Sequence, residues 1–176
     1  MRSIAAVTLL SLLCAGAVLR NGFWQDDERL WSDTIRKTPN KARAYNELGL
    51  HYLAAGRYAN ALTLLTRSLA LDPYQQPVYV NLGLVYERLG DAERAAQTYE
   101  RAAWLSPGDP APFYNLGVLT YTTLHDRDRA LSYFLKARDL DPREPDVHQW
   151  LGRIYLELGY RDRAQQELTL YERTRR

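Results

Sequence analysis

The sequence predicts an all-α solenoid of about four helical hairpins, preceded by a capping helix and an apolar N-terminal helix. Three observations predict it. Leu-Gly pairs recur at Leu48-Gly49, Leu82-Gly83, Leu116-Gly117 and Leu151-Gly152, spaced by 34, 34 and 35 residues. Prolines at Pro39, Pro73, Pro107 and Pro142 repeat with the same spacings. Ala61, Ala95, Ala130 and Ala164 follow each glycine by 12 or 13 residues. A period of this size marks a two-helix unit that cannot bury its apolar face alone and stacks on copies of itself.

The first element in chain order is the run Ser3 to Leu19, 17 residues without a charge. As a helix it would extend about 25 Å, slightly short of the hydrocarbon core of a bilayer. Phe23 and Trp24 lengthen it and suit the headgroup level, where aromatic rings collect. An uncleaved membrane anchor over residues 1–24 is the expectation, with the membrane contact through 3–24. A cleavable signal peptide is the alternative, since Ala15-Gly16-Ala17 supplies a small-x-small site. A lipoprotein signal is excluded because Leu13, not a small residue, precedes Cys14. The repeats are expected outside the cytoplasm, either membrane-anchored or secreted to the periplasm after cleavage.

Residues 25–41 come next. Within them, residues 25–38 precede Pro39 as the second helix of a hairpin would, and Leu30, Trp31, Thr34 and Ile35 fall on one helical face. They read as a capping half-repeat. The hairpins then follow over 42–75, 76–109, 110–144 and 145–176. In each, the glycine lacks a side chain and lets the two helices approach closely. The alanines do the same from the other helix, while leucine and tyrosine fill the space between hairpins. Proline ends the second helix. Gly56, Gly90 and Gly159 end the first helix of their hairpins. The third hairpin has Leu124-His125 and one extra residue there, so its turn should differ.

This pattern resembles the tetratricopeptide repeat over roughly residues 42–176. The tyrosine three residues after the glycine appears as Tyr52, Tyr86 and Tyr155, with Thr120 in the third repeat. The resemblance implies a right-handed superhelix whose first helices line a concave groove. The junction before the repeats is also similar to that of membrane proteins with C-terminal arrays of this kind, including the protein O-mannosyltransferase-like family. The matching residues are Trp24, Asp26, Asp27, Leu30, Trp31, Lys37, Pro39, Asn40, Ala42, Arg43, Tyr45, Asn46, Leu48 and Gly49. That similarity implies an extracytoplasmic setting.

Composition narrows the function. Net charge is only +2, and residues 1–40 carry 5 basic and 4 acidic groups, so the balance is even along the chain. No basic face suits a phosphate backbone, and nucleic acid is not expected as a partner. A single cysteine builds neither a disulfide framework nor a thiolate metal site. The three histidines, His51, His125 and His148, have no partner at metal-ligand spacing. Gly-rich phosphate loops and nucleophile elbows are missing from the sequence. The expectation is therefore no enzyme, no cofactor and no small-molecule substrate, but a protein-binding scaffold.

For binding, the resemblance implies that the residue before each Leu-Gly, and those one and four positions after the glycine, face the groove. Asn81 and Asn115 hold the first of these positions, and Trp150 holds it in the fourth repeat. Leu50, Leu84 and Arg153 follow their glycines; Tyr121 lies four positions on, and Tyr114 stands beside Asn115. The two amides both donate and accept, which suits an extended peptide backbone. Ordinary repeat filler accounts for them equally well. The set as a whole is apolar and aromatic, fitting an apolar peptide, a partner helix or a membrane complex better than an acidic tail.

Overall fold

The computed structural model describes residues 27–175. The apolar segment and the anchor expected at 1–24 lie outside the described residues. Among the described residues, nine helices and no strands are found, and no helix is long and apolar enough to cross a membrane. The chain divides into two compact units, Met1–Pro73 and Tyr74–Arg176.

The first unit contains α1 (27–37), α2 (Ala42–Ala54) and α3 (Tyr58–Leu71). α2 and α3 pack as a hairpin around Leu48, Ala61 and Leu65, all buried. A Cβ on Gly49 would meet the Leu65 side chain at 2.9 Å, inside any real contact. Ser68 donates from its hydroxyl to the Ala42 carbonyl at 2.9 Å and ties the far ends of the hairpin. On the face expected for α1, Trp31, Thr34 and Ile35 are half-buried. Leu30 is 56% exposed, and side-chain hydrogen bonds and ion pairs reach this helix at Glu28. Tyr52 Oη donates to Glu28 at 2.7 Å, and Arg57, stacked on the Tyr52 ring at 4.2 Å, lies 3.6 Å from the same carboxylate. A polar tie through Glu28 thus accompanies the half-buried stripe of Trp31 and Ile35.

The second unit contains three hairpins. They are α4 (Gln76–Arg88) with α5 (Ala92–Leu105), α6 (Pro110–Thr122) with α7 (Arg127–Leu140), and α8 (Pro145–Glu157) with α9 (Arg161–Thr174). Successive hairpins join through α5 against α6 and α7 against α8. Prolines open α4, α6 and α8, where a missing N–H costs nothing. Asp91, Asp109 and Asp126 cap α5, α6 and α7 by accepting from backbone N–H groups of the first turn.

The turns inside the hairpins split as expected. Gly56, Gly90 and Gly159 adopt φ of 73°, 79° and 81°. The third hairpin puts His125 in that left-handed region, at φ 55°, where a side chain is disfavoured.

The close approach at each glycine is filled by a large side chain, and the alanines lie one turn earlier. Gly83 faces the Tyr99 ring, Gly117 the Phe134 ring at 2.8 Å from an added Cβ, and Gly152 the Leu168 side chain at 2.7 Å. Ala95, Ala130 and Ala164 are fully buried, but they do not fill the hollow.

The last hairpin carries a buried polar tie. His148 is 1% exposed, with Nδ1 2.6 Å from Glu167 and Nε2 2.9 Å from the Pro142 carbonyl. Both ring nitrogens therefore have a hydrogen-bond partner. Arg138 donates to the other Glu167 oxygen at 2.9 Å. Three helices, α7, α8 and α9, are thereby stitched through one carboxylate.

Candidate functional site

The first-helix face of the second unit is built from α4, α6 and α8. On α8, Asp146, Trp150, Arg153 and Glu157 follow one another at three- and four-residue spacing, which aligns them on one helical face. On α6, Tyr114, Val118 and Tyr121 do the same. Contacts between the two rows show that they are neighbours. The rings of Tyr121 and Trp150 meet edge to face at 5.2 Å. Arg153 lies over both, 5.1 Å from Tyr121 and 5.8 Å from Trp150.

Beneath this layer lies Phe134 of α7. Trp150 stacks on it at 5.5 Å with only 9° between planes, and Tyr114 meets it edge on at 6.0 Å. Phe134 is fully buried, while Tyr114, Tyr121 and Trp150 are half-buried. Trp150 therefore belongs both to the joint between hairpins and to the surface above it. Burial pushes the Tyr114 hydroxyl's pKa upward, and hydrogen bonding with Trp150 partly opposes this.

At the C-terminal ends of α6 and α8 the charges are matched. Glu157 accepts from Tyr121 Oη at 2.5 Å and from Arg153 at 3.4 Å, and Arg127 sits 3.0 Å from its second oxygen. The Tyr121 hydrogen bond and then the arginines hold the Glu157 carboxyl below its ordinary pKa, against a smaller effect of burial. Tyr121 is shifted up, first by burial and then by Glu157. These groups, with Thr122 and His125, line a surface cleft of about 480 Å³.

The remaining sequence-derived residues fall as follows. Asn81 and Leu84 lie half-buried on α4, and Asn115 half-buried on α6. Leu50 is half-buried on α2 of the first unit, at the register position that Leu84 holds in the second. Arg153 is exposed and engaged with both rings. Glu87, at the position equivalent to Tyr121, is committed inside its own hairpin, because it accepts from Tyr99 Oη at 2.6 Å. Reading the repeat alone missed Phe134, Glu157 and Arg127. Phe134 was discoverable, since Leu65, Tyr99, Phe134 and Leu168 each follow their glycine by 16 or 17 residues.

No group of three His, Cys, Asp or Glu side chains that could hold a metal ion occurs among the described residues. The His148–Glu167 pair is sealed from solvent and serves packing.

Models of the tetratricopeptide repeat match residues 52–116 in one version, and residues 15–76 and 118–173 in another. The chain is 28% identical over 151 residues to the anaphase-promoting complex subunit 3 of Schizosaccharomyces pombe, covering 85% of this chain and 22% of that protein. It is 27% identical over 117 residues to the human protein O-mannosyl-transferase TMTC1, covering 66% of this chain and 13% of that one. The chain thus spans less than a quarter of the length of these relatives. In fold it is similar to the crystal structure of MamA, with a TM-score of 0.78, 21% identity, and coverage of 89% of this chain and 91% of that one. With the glycine hollows, the hairpin order and these matches in agreement, the chain belongs to the tetratricopeptide-repeat family.

Proposed function

We propose that the chain is a non-catalytic scaffold or assembly factor that holds a partner protein on the first-helix face of its second unit. The observation that carries this reading is the aromatic layer. Tyr114, Tyr121 and Trp150 meet on that face, half-buried, on a rigid Phe134 floor. Large preorganised rings of this kind anchor interfaces, because they bring contact area at low entropic cost. Asn81 and Asn115 carry amides on the neighbouring helices, a chemistry that suits a partner backbone. The similarity to a subunit of the anaphase-promoting complex supports a place within a larger assembly. We place the repeats outside the cytoplasm, tethered through residues 3–24, with a membrane complex as the partner.

The alternative is an accessory, substrate-recruiting module of an envelope glycosyltransferase system. The similarity to an O-mannosyl-transferase favours it.

A photo-crosslinking side chain placed at Asn115 in cells should capture a partner, and the same group at the exposed Gln97 of α5 should not. Equal capture at both positions, or none at Asn115, overturns the reading. A glycosyltransferase in the captured material selects the alternative. Trp150→Ala should weaken binding of the captured partner by about 2 kcal/mol. Because Trp150 also stacks on Phe134, the variant should lose stability too, by about 2 kcal/mol, part of the cost of a fully buried ring. Lost stability with unchanged binding removes Trp150 from the site.

A further inference from the structure

The two ends of the aromatic face differ in charge. At the C-terminal ends of α6 and α8, Glu157 already holds Arg127 and Arg153. A partner's charge would have to break those ties. At the N-terminal ends lies a second cleft of about 290 Å³. Its walls are apolar, from Pro110, Val147 and the Tyr114 ring, and its rim carries Asp141, Glu144 and Asp146. Among the described residues, none of these three carboxylates has a basic side chain within 4.0 Å. The Asp141 carboxylate accepts the backbone N–H of Arg143, the one cation in that turn.

We propose that this cleft takes a lysine or arginine side chain of an extended partner segment, which fixes the direction in which the segment lies on the aromatic face. An apolar slot with an acidic rim complements a long aliphatic stem that ends in a cation. The Tyr114 ring adds a face for the cation. Spacing supplies the rest of the motif. Asp146 and Trp150 are one turn apart on α8, about 6 Å along the axis. An extended chain covers about 6.6 Å in two residues and returns its side chain to the same side. A basic residue in the cleft therefore places an apolar residue two positions away on Trp150 and Tyr121. This inference rests on the binding face proposed above and adds the chemistry and polarity of its occupant.

Selection of random peptides displayed on phage against the purified full chain tests it. Three targets are compared: the unaltered chain, the Glu144→Gln/Asp146→Asn double variant, and Trp150→Ala, each checked for retained helicity. Peptides selected on the unaltered chain should carry lysine or arginine two positions from a leucine or aromatic residue. Their binding should fall about fivefold on the double variant, the size of one exposed charge pair. Peptides that depend on Trp150 yet show no basic preference, or lose nothing on the double variant, overturn the cation inference and leave the binding face standing. Peptides indifferent to Trp150, or no selection at all, overturn both.

Discussion

The hairpins α4/α5 and α6/α7 use the same register to different ends. In the first, Tyr99 fills the hollow at Gly83, and its hydroxyl returns to Glu87 on the same pair of helices. Burial and the Glu87 carboxylate together push the Tyr99 pKa far above its normal value, so the phenol stays neutral at any working pH. Its hydroxyl is satisfied inside that hairpin, while the ring packs with Leu116 and Leu119 of α6. In the second, Phe134 fills the hollow at Gly117 and has no hydroxyl to satisfy. Its ring lies open to Trp150 and Tyr114, and the joint becomes the floor of a binding face. The Tyr99 ring is held by its hydroxyl to Glu87 of its own hairpin, whereas the Phe134 ring carries Trp150 of the next one.

The sharpest way to break this contrast is Phe134→Ala. The ring is fully buried, so the loss should be about 3–5 kcal/mol, read by chemical denaturation. It should also remove the stacking partner of Trp150 and move its indole N–H resonance. A loss under about 1 kcal/mol would mean that the hollow collapses easily and that Phe134 is no keystone.

Next in size is Gly83→Val. Three atoms of the Tyr99 ring lie within 3 Å of an added Cβ, and a ring hydrogen-bonded at its far end cannot simply turn away. The expected cost is about 1–3 kcal/mol. An unchanged melting temperature would contradict the packing assigned to the Leu-Gly motif.

The hairpin count, the glycine hollows and the odd third turn were legible because each leaves a periodic mark. The 34-residue spacing places Gly83 and Gly117 at equivalent points whatever fills them. The filling residue also recurs 16 or 17 positions on, but the spacing does not tell whether its far end is polar, as in Tyr99, or apolar, as in Phe134. The ties through Glu28, Glu157 and Glu167 were hidden for a related reason. Each joins residues 19 to 36 apart through side-chain reach, as in Tyr52 to Glu28, His148 to Glu167 and Tyr121 to Glu157. No repeat pattern records such reach. The candidate site was half legible. Register named Tyr121 and Trp150, but nothing in the sequence showed that Phe134 lies beneath Trp150.

The turns give a smaller test. Gly90 adopts φ 79° with nothing within 4 Å of an added Cβ, so Gly90→Ala should cost about 1 kcal/mol from backbone strain alone. His125→Gly should run the other way and stabilise by up to about 1 kcal/mol, since glycine relieves the strain but loses more chain entropy on folding. Thermal unfolding of both variants checks the pair. Shifts of the same sign would mean that the third turn is not strained.

The smallest effect should come from acid at the matched end of the face. Glu157 is held below the ordinary glutamate value of 4.5, first by the Tyr121 hydrogen bond. A depressed carboxyl contributes stability above its unfolded pKa, and that contribution disappears as pH falls through the lower folded value. The tie should therefore be intact at neutral pH and open only below about pH 4.5. Glu157 is partly solvent-exposed, so screening keeps the change in stability small. Local readout is the better measure. Tyr121 touches Trp150, and its release should shift the Trp150 indole N–H resonance in NMR spectra recorded down the pH series. Glu157→Gln should abolish that titration while leaving the neutral-pH fold in place. A Trp150 signal that titrates identically in the variant would mean that another carboxylate governs this end, and the contrast between its matched charges and the open acidic cleft would lose its basis.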